Sequence, residues 1–234
     1  MDSDAESSTL EPFKTRLLVY ARWSIGLTIL FVITYYTTNW LAAQRTTHWR
    51  LYFDWELGVP FVPWMIYFYL SFNLLAVWPL FLLDVAGIQR FGRTFALATL
   101  VAAVAHLAFP ADLGWSRVTS VPNYPVFARF FAFDRPYNLV PSLHVGYSTL
   151  TSMVIWNASR HLWVRILAAG WLGLLICSVF LIHQHHLADV VGGLVLAIIS
   201  YRWFARISKT REWTVSSRSL RATGIPRKPM SPAK

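Results

Sequence analysis

Residues 162–204 read LWVRILAAGWLGLLICSVFLIHQHHLADVVGGLVLAIISYRWF. Two apolar runs, Leu162 to His183 and Leu187 to Phe204, meet at a short polar turn rich in histidine. Each run is close to the roughly 20 residues that an α-helix needs to cross the hydrocarbon core of a bilayer. Working outward, four more such runs appear: Leu17 to Thr38, Val62 to Leu83, Phe95 to Phe109, and Ser142 to Ala158. The third is short and the fourth carries more polar residues than the rest. The pattern predicts an all-α, polytopic membrane bundle of about six transmembrane helices.

Composition agrees with lipid as the solvent. The 234-residue chain is 56% hydrophobic and only 14% charged, against about 25% charged in soluble domains. No polar stretch is long enough to build a second core. The expected organisation is therefore a tail over residues 1–16, cytoplasmic and disordered, one membrane domain over 17–205, and a basic cytoplasmic tail over 206–234. The polar, acidic start of the chain does not resemble a cleavable signal, so the first run is expected to stay as a helix. Cys177 is the single cysteine, and no internal disulfide can form.

The net charge of +10 raises the question of nucleic acid, but the basic residues are placed for a membrane. Nine of the 21 Lys and Arg fall between Arg202 and Lys234, just beyond the last apolar run. A basic tail there suits anionic lipid, at roughly 1 kcal/mol per residue near the surface, and no nucleic-acid partner is expected. Adding Lys14, Arg16, Arg22, Arg90, Arg93, Arg160 and Arg165 puts 16 of 21 on one side. Arg45, Arg50, Arg117, Arg129 and Arg135 lie opposite. By the positive-inside rule both termini are cytoplasmic, and the connections after the first, third and fifth helices face the periplasm, lumen or exterior. Trp40, Trp49, Trp55, Trp64, Trp115, Trp156, Trp163 and Trp203 sit near span ends, as an interfacial aromatic belt would. The aromatic segment Tyr52 to Pro60 reads as an interfacial piece between the first two spans.

Two clusters carry chemistry, and the topology opens both on the non-cytoplasmic side. Pro141-Ser142-Leu143-His144 starts the fourth helix, with Ser142 as its N-cap. Unpaired N–H groups and the positive dipole end make that start suited to an anion. His144 in the first turn is placed to give a proton to a leaving oxygen, and Arg135 to pair with phosphate through two hydrogen bonds. In the second cluster His185 and Asp189 are four residues apart, hence on one helical face. A carboxylate that holds one imidazole nitrogen leaves the other as nucleophile or base.

These residues resemble the type 2 phosphatidic acid phosphatase (PAP2) superfamily, whose second motif is Pro-Ser-x-His and whose third is Ser-Arg-x5-His-x3-Asp. The first motif, Lys-x6-Arg-Pro, is matched only by Arg135-Pro136. Ala128 stands at its lysine position, with Arg129 one residue away. Ser178 aligns with the third-motif serine, while Val179 stands where that motif has arginine. The resemblance covers roughly residues 60–205 and implies a PAP2-like catalytic domain. It implies His185 as the nucleophile of a phosphohistidine, Asp189 as its orienter and His144 as the general acid. Arg135, Ser142 and the N–H of Leu143 would hold phosphate oxygens. Arg129, a protonated His183 and Asn138 are further phosphate-binding candidates, the first two as replacements for the missing cation. A phosphodiester substrate, with less charge, is the other answer to that gap. Pro-Ser-Leu-His with a His-rich third motif also resembles the inositol phosphorylceramide synthase branch, which transfers a head group between lipids.

The expected activity is phosphatase or phosphotransferase chemistry on a lipid phosphate in the bilayer, with hydrolysis first and head-group transfer second. No metal and no cofactor is expected; a zinc site of His144, His183, His185, His186 and Asp189 is the competing chemistry. A transporter is the alternative without catalysis. His106, Asp84 and Asn73 are intramembrane polar residues whose roles are open, His186 reads as a polar loop or helix-face group, and Gly192, Gly193 and Ala197 read as small-residue helix packing. Which lipid, which membrane and what oligomeric state are left open.

Overall fold

The computed structural model describes residues 11–117, 121–131 and 135–222. Residues 1–10 of the expected N-terminal tail and 223–234 of the basic tail lie outside the described residues. Helix α1 is Phe13–Ala43. The second span is a chain of short pieces: a 3₁₀ turn at Pro63–Met65, then α2 (Ile66–Leu70), α3 (Phe72–Val77) and α4 (Pro79–Leu82). Helix α5 is Val85–Ala108, and a short α6 covers Val126–Phe131. The last three are α7 (Leu143–Ala158), α8 (Leu162–Leu181) and α9 (Leu187–Ala222). Among the described residues there is no strand, only one bridge between Trp49 and Ala111.

Among the described residues, five helical spans are long and apolar enough to cross a membrane: α1, α2–α4 with their 3₁₀ lead-in, α5, α8 and the first part of α9. Helix α7, at 16 residues, is shorter. It is the buried centre of the bundle, with Val145, Leu150 and Ile155 all at 1% exposure or less. The chain is thus an all-helical, multi-pass membrane bundle. Its outer face is oily where it should be: Ile25, Ile29 and Ile33 of α1 and Ile166 and Leu167 of α8 are exposed.

Helix α1 starts at Phe13, inside the expected tail, and α9 runs on to Ala222, beyond the expected Phe204; the second and third spans also depart from expectation. The third was expected from Phe95, but α5 begins ten residues earlier at Val85. Asp84 caps it, its carboxylate accepting from Gly87 N at 2.6 Å, and Glu11 accepts from Val85 N at 2.8 Å. Two carboxylates at a helix start satisfy orphan N–H groups and the positive dipole end. Arg90 then lies inside a helix rather than in a loop, its guanidinium over the Phe204 ring while the stem runs along apolar surface. The second span is interrupted before Pro79, which has no N–H to continue the ladder.

Helices α7 and α9 meet through glycine. A Cβ on Gly193 would lie 2.6 Å from the Ser142 carbonyl oxygen and 3.1 Å from Gly146 N, and one on Gly192 would press on Pro141. Only bare backbone lets the two helix starts touch, and those starts carry the two histidine motifs. Below them Phe91, Phe95, Tyr147, Leu150 and Leu196 form one core cluster. Met65, Ile66, Phe127, Val145 and Val179 form another beside it.

Candidate active site

The turn between α8 and α9 is a Schellman motif built on histidine. His183 takes the left-handed conformation, φ 57°, where glycine is usual. Its N–H bonds to Phe180 O at 3.0 Å, and Gln184 N bonds back to Val179 O at 2.9 Å. The Val179 carbonyl also accepts from His185 N at 3.2 Å. At the third residue of the new helix, Asp189 accepts from His186 N at 2.8 Å. The same carboxylate oxygen lies 3.2 Å from His185 Nδ1. His185 and Asp189 are 6% and 1% exposed, so the carboxylate has little water to bond instead. Holding Nδ1 leaves Nε2 of His185 as the open nitrogen.

The second histidine is fixed from the facing span. The ring of His144 stacks on Tyr69 at 4.0 Å between centroids, and Nδ1 lies 3.0 Å from the Tyr69 hydroxyl. The two helix starts are tied directly, Ser142 N donating to the Asp189 carbonyl at 2.9 Å. Buried His106 donates from Nε2 to Pro141 O at 3.1 Å, which accounts for that intramembrane histidine. The hydroxyl of Ser142 accepts from Val145 N as the N-cap.

A cavity of about 850 Å³ opens beside these residues, and His144, His185 and Leu143 line it. Arg129 and Arg135 line it too, together with Arg117, which was counted in the sequence only among the five outer basic residues. Nothing in a motif marks Arg117. Ser142, Asp189 and His183 lie behind the lining. Asn138 does reach the cavity, but both amide hydrogens are committed, to Tyr35 O at 2.9 Å and Thr38 Oγ1 at 2.7 Å. Its Oδ1 is buried and without a hydrogen-bond partner.

His183 is turned the other way. Its Nε2 is 2.8 Å from the Val59 carbonyl, and its ring is stacked on Trp115 at 4.5 Å. Burial pushes its pKa below the usual histidine value, the Val59 carbonyl pulls it partly back, and His186 pushes it down again. The arginine position of the third motif is filled as well. Val179 is 0% exposed among Met65, Ile66, Phe127 and Val145, a dry setting with no cavity around its side chain.

Glu56 and His186 form a feature the sequence did not signal. They lie 130 residues apart with the imidazole Nδ1 3.2 Å from Glu56 Oε2, both about 1% exposed. The other nitrogen, Nε2, donates to Leu113 O at 2.5 Å. Glu56 also accepts from Leu187 N at 2.8 Å and Phe53 N at 2.9 Å, capping α9. Tyr52 and Trp115 sandwich the His186 ring at 4.7 and 3.8 Å. Trp115 therefore belongs to this cap and not to the interfacial belt, whereas Trp40, Trp49, Trp55, Trp64, Trp156 and Trp163 are exposed at the two ends of the bundle. The Tyr52 to Pro60 segment is thereby fastened over the α8–α9 turn.

The histidines of the turn diverge: His183 to Val59, His185 to Asp189, His186 to Glu56 and Leu113. Among the described residues no three His, Cys, Asp or Glu side chains gather as ion ligands. A family model described as the PAP2 superfamily matches residues 17–203. No curated protein and no solved structure matches the chain significantly.

Proposed function

Because this chain belongs to the PAP2 superfamily, whose general chemistry is phosphoric ester cleavage, we propose that it cleaves a lipid phosphate ester through His185. The observation that carries the reading is the His185 Nδ1 to Asp189 contact at 3.2 Å, beside His144 and three arginines on one cavity. In the first step Nε2 of His185 attacks phosphorus. The P–N bond forms as the P–O bond to the lipid breaks, and His144 gives its proton to the departing oxygen. In the second step water attacks, the P–N bond breaks, and the proton returns to His144. Arg117, Arg129 and Arg135 neutralise the phosphoryl oxygens, each charge-assisted contact being worth about 1.5–3 kcal/mol. Arg117 takes the part that the family's third-motif arginine has elsewhere. The charge asymmetry of 16 to 5 supports a site on the non-cytoplasmic side with both termini inside.

Transfer to a lipid alcohol instead of water is the second reading. The apolar wall of the cavity beside His185 and His144, which would seat a second lipid as acceptor, supports it. Product analysis with purified protein in detergent separates the two. Inorganic phosphate from a lipid monoester supports hydrolysis, and a new phosphodiester from a two-lipid mixture supports transfer. Normal turnover by His185→Ala would overturn both.

A further inference from the structure

The cavity is far deeper than a phosphate requires. From the arginines it continues down a slot whose walls are three helical faces. On α1 the lining residues include Tyr20, Trp23, Leu27, Phe31 and Tyr35, at the spacing of one helix face. On α5 they include Ile88, Phe91, Gly92 and Phe95, and on α3 Phe72, Asn73 and Ala76. Helix α1 packs along α5 but is pinned to the second span at its base. There Tyr20 donates to Ala76 O at 3.0 Å and Arg16 to Leu80 O at 3.2 Å. Above these bonds the space between α1 and α3 is slot, and Thr28, Asn73 and Val77 at its edges are exposed, so it opens sideways to lipid. The floor is Trp23, seated on bare backbone: a Cβ on Gly92 would lie 2.2 Å from its ring. Fifteen positions separate Tyr35 from Tyr20, about 22 Å along a helix, whereas one leaflet is about 15 Å of a 30 Å hydrocarbon core.

We propose that this slot holds a single hydrocarbon chain of the lipid phosphate, one that passes the bilayer midplane, and that Trp23 and Tyr20 set its maximum length. The proposal rests on the lipid phosphate reading above and adds the kind of lipid. A shorter chain loses little, because lipid and slot are equally apolar and no hydrophobic force drives the chain between them. A longer one meets a packed floor, and overpacking of that kind is worth roughly tenfold or more in kcat/KM.

The test uses purified full-length protein and a series of single-chain phosphate monoesters, saturated alkyl in one arm and polyprenyl in the other. Activity is expected to hold with length and then fall at least tenfold once the chain outruns the slot. Trp23→Ala is expected to move that limit to longer chains, and Ser24→Trp to shorter ones. The arm with the sharper limit names the chain type. Binding is read separately, by quenching of tryptophan fluorescence with a chain brominated at its end. Wild type is expected to show a quenched component that Trp23→Phe lacks. Turnover with the same length profile in all three proteins would overturn the slot, as would equal quenching in wild type and Trp23→Phe. Quenching at Trp23 with neither phosphate release nor a new phosphodiester from a two-lipid mixture would instead sink the catalytic reading and leave the slot standing.

Discussion

Replacing Glu56 with glutamine tests whether the cap over the histidine turn is held by charge. Both nitrogens of His186 face acceptors, Glu56 Oε2 at 3.2 Å and Leu113 O at 2.5 Å, the arrangement of an imidazolium against a carboxylate. Leu187 N and Phe53 N complete the carboxylate's donors. Glutamine keeps the volume but removes the charge and turns an NH₂ toward groups that donate. Leaving one partner of a buried pair uncompensated costs about 3–5 kcal/mol. In a chain of this length that is a drop in unfolding midpoint of roughly 6–20 °C. The assay is thermal unfolding in detergent followed by tryptophan fluorescence. Because Asp189 grips both His185 and the His186 N–H, kcat is expected to fall with KM little changed.

The double variant Glu56→Leu with His186→Leu sharpens the test. A buried pair replaced as a unit by apolar groups escapes the cost of a lone buried charge, so the double is expected to lose less than the sum of its two singles, the unpaired Leu187 and Phe53 N–H groups accounting for what remains. A Glu56→Gln midpoint within a degree of wild type, or a double loss equal to the sum of the two singles, would refute the pairing argument.

Asp189→Asn is expected to fold, with an unfolding midpoint near that of wild type, and to lose on the order of 10²–10⁴ in kcat, as removal of an orienting carboxylate does; retained turnover in phosphate release would count against the His185 reading. Val179→Arg is expected to lower the unfolding midpoint without raising monoester turnover, since its side chain stands in a dry core; a stable variant with faster turnover would show that the position can serve the cavity. His183 bears on pH: its folded pKa is lowered below 6.5, mainly by burial, so below about pH 6.5 the unfolded chain binds the proton more readily and stability falls as pH falls. His183→Asn, which tolerates the left-handed conformation, is expected to flatten that loss between pH 7 and 5 in midpoint measurements. For topology, in a Cys177→Ser background, Asp112→Cys is expected to react with an impermeant maleimide from the non-cytoplasmic side and Arg160→Cys is not.

What was legible in the sequence follows from the range of each interaction. Transfer of a helix into lipid depends on its composition over about 20 residues, so the spans could be read directly, while the early start of α5 draws both on the local cap Asp84 and on Glu11 reaching Val85, 74 positions away. The His185–Asp189 contact was visible because four residues is one helical turn. Glu56 and His186 are 130 apart, and neither has a local pattern, so nothing in the chain hinted at the pair. The third-motif gap is the most instructive case. Along the chain, valine at position 179 reads as a missing cation, because a motif counts charge by position. In space, charge acts through distance, and an arginine from another connection lines the cavity although no motif marks it. Arg117 lies 62 residues before Val179, carries no motif, and lines the cavity with His185, whereas Val179 does not reach it and packs against Val145 and Phe127 instead. The local backbone is indifferent to the exchange: the Val179 carbonyl still holds Gln184 and His185 in the turn, a task any side chain permits. The position thus keeps its backbone role, and the charge on the cavity comes from elsewhere in the chain.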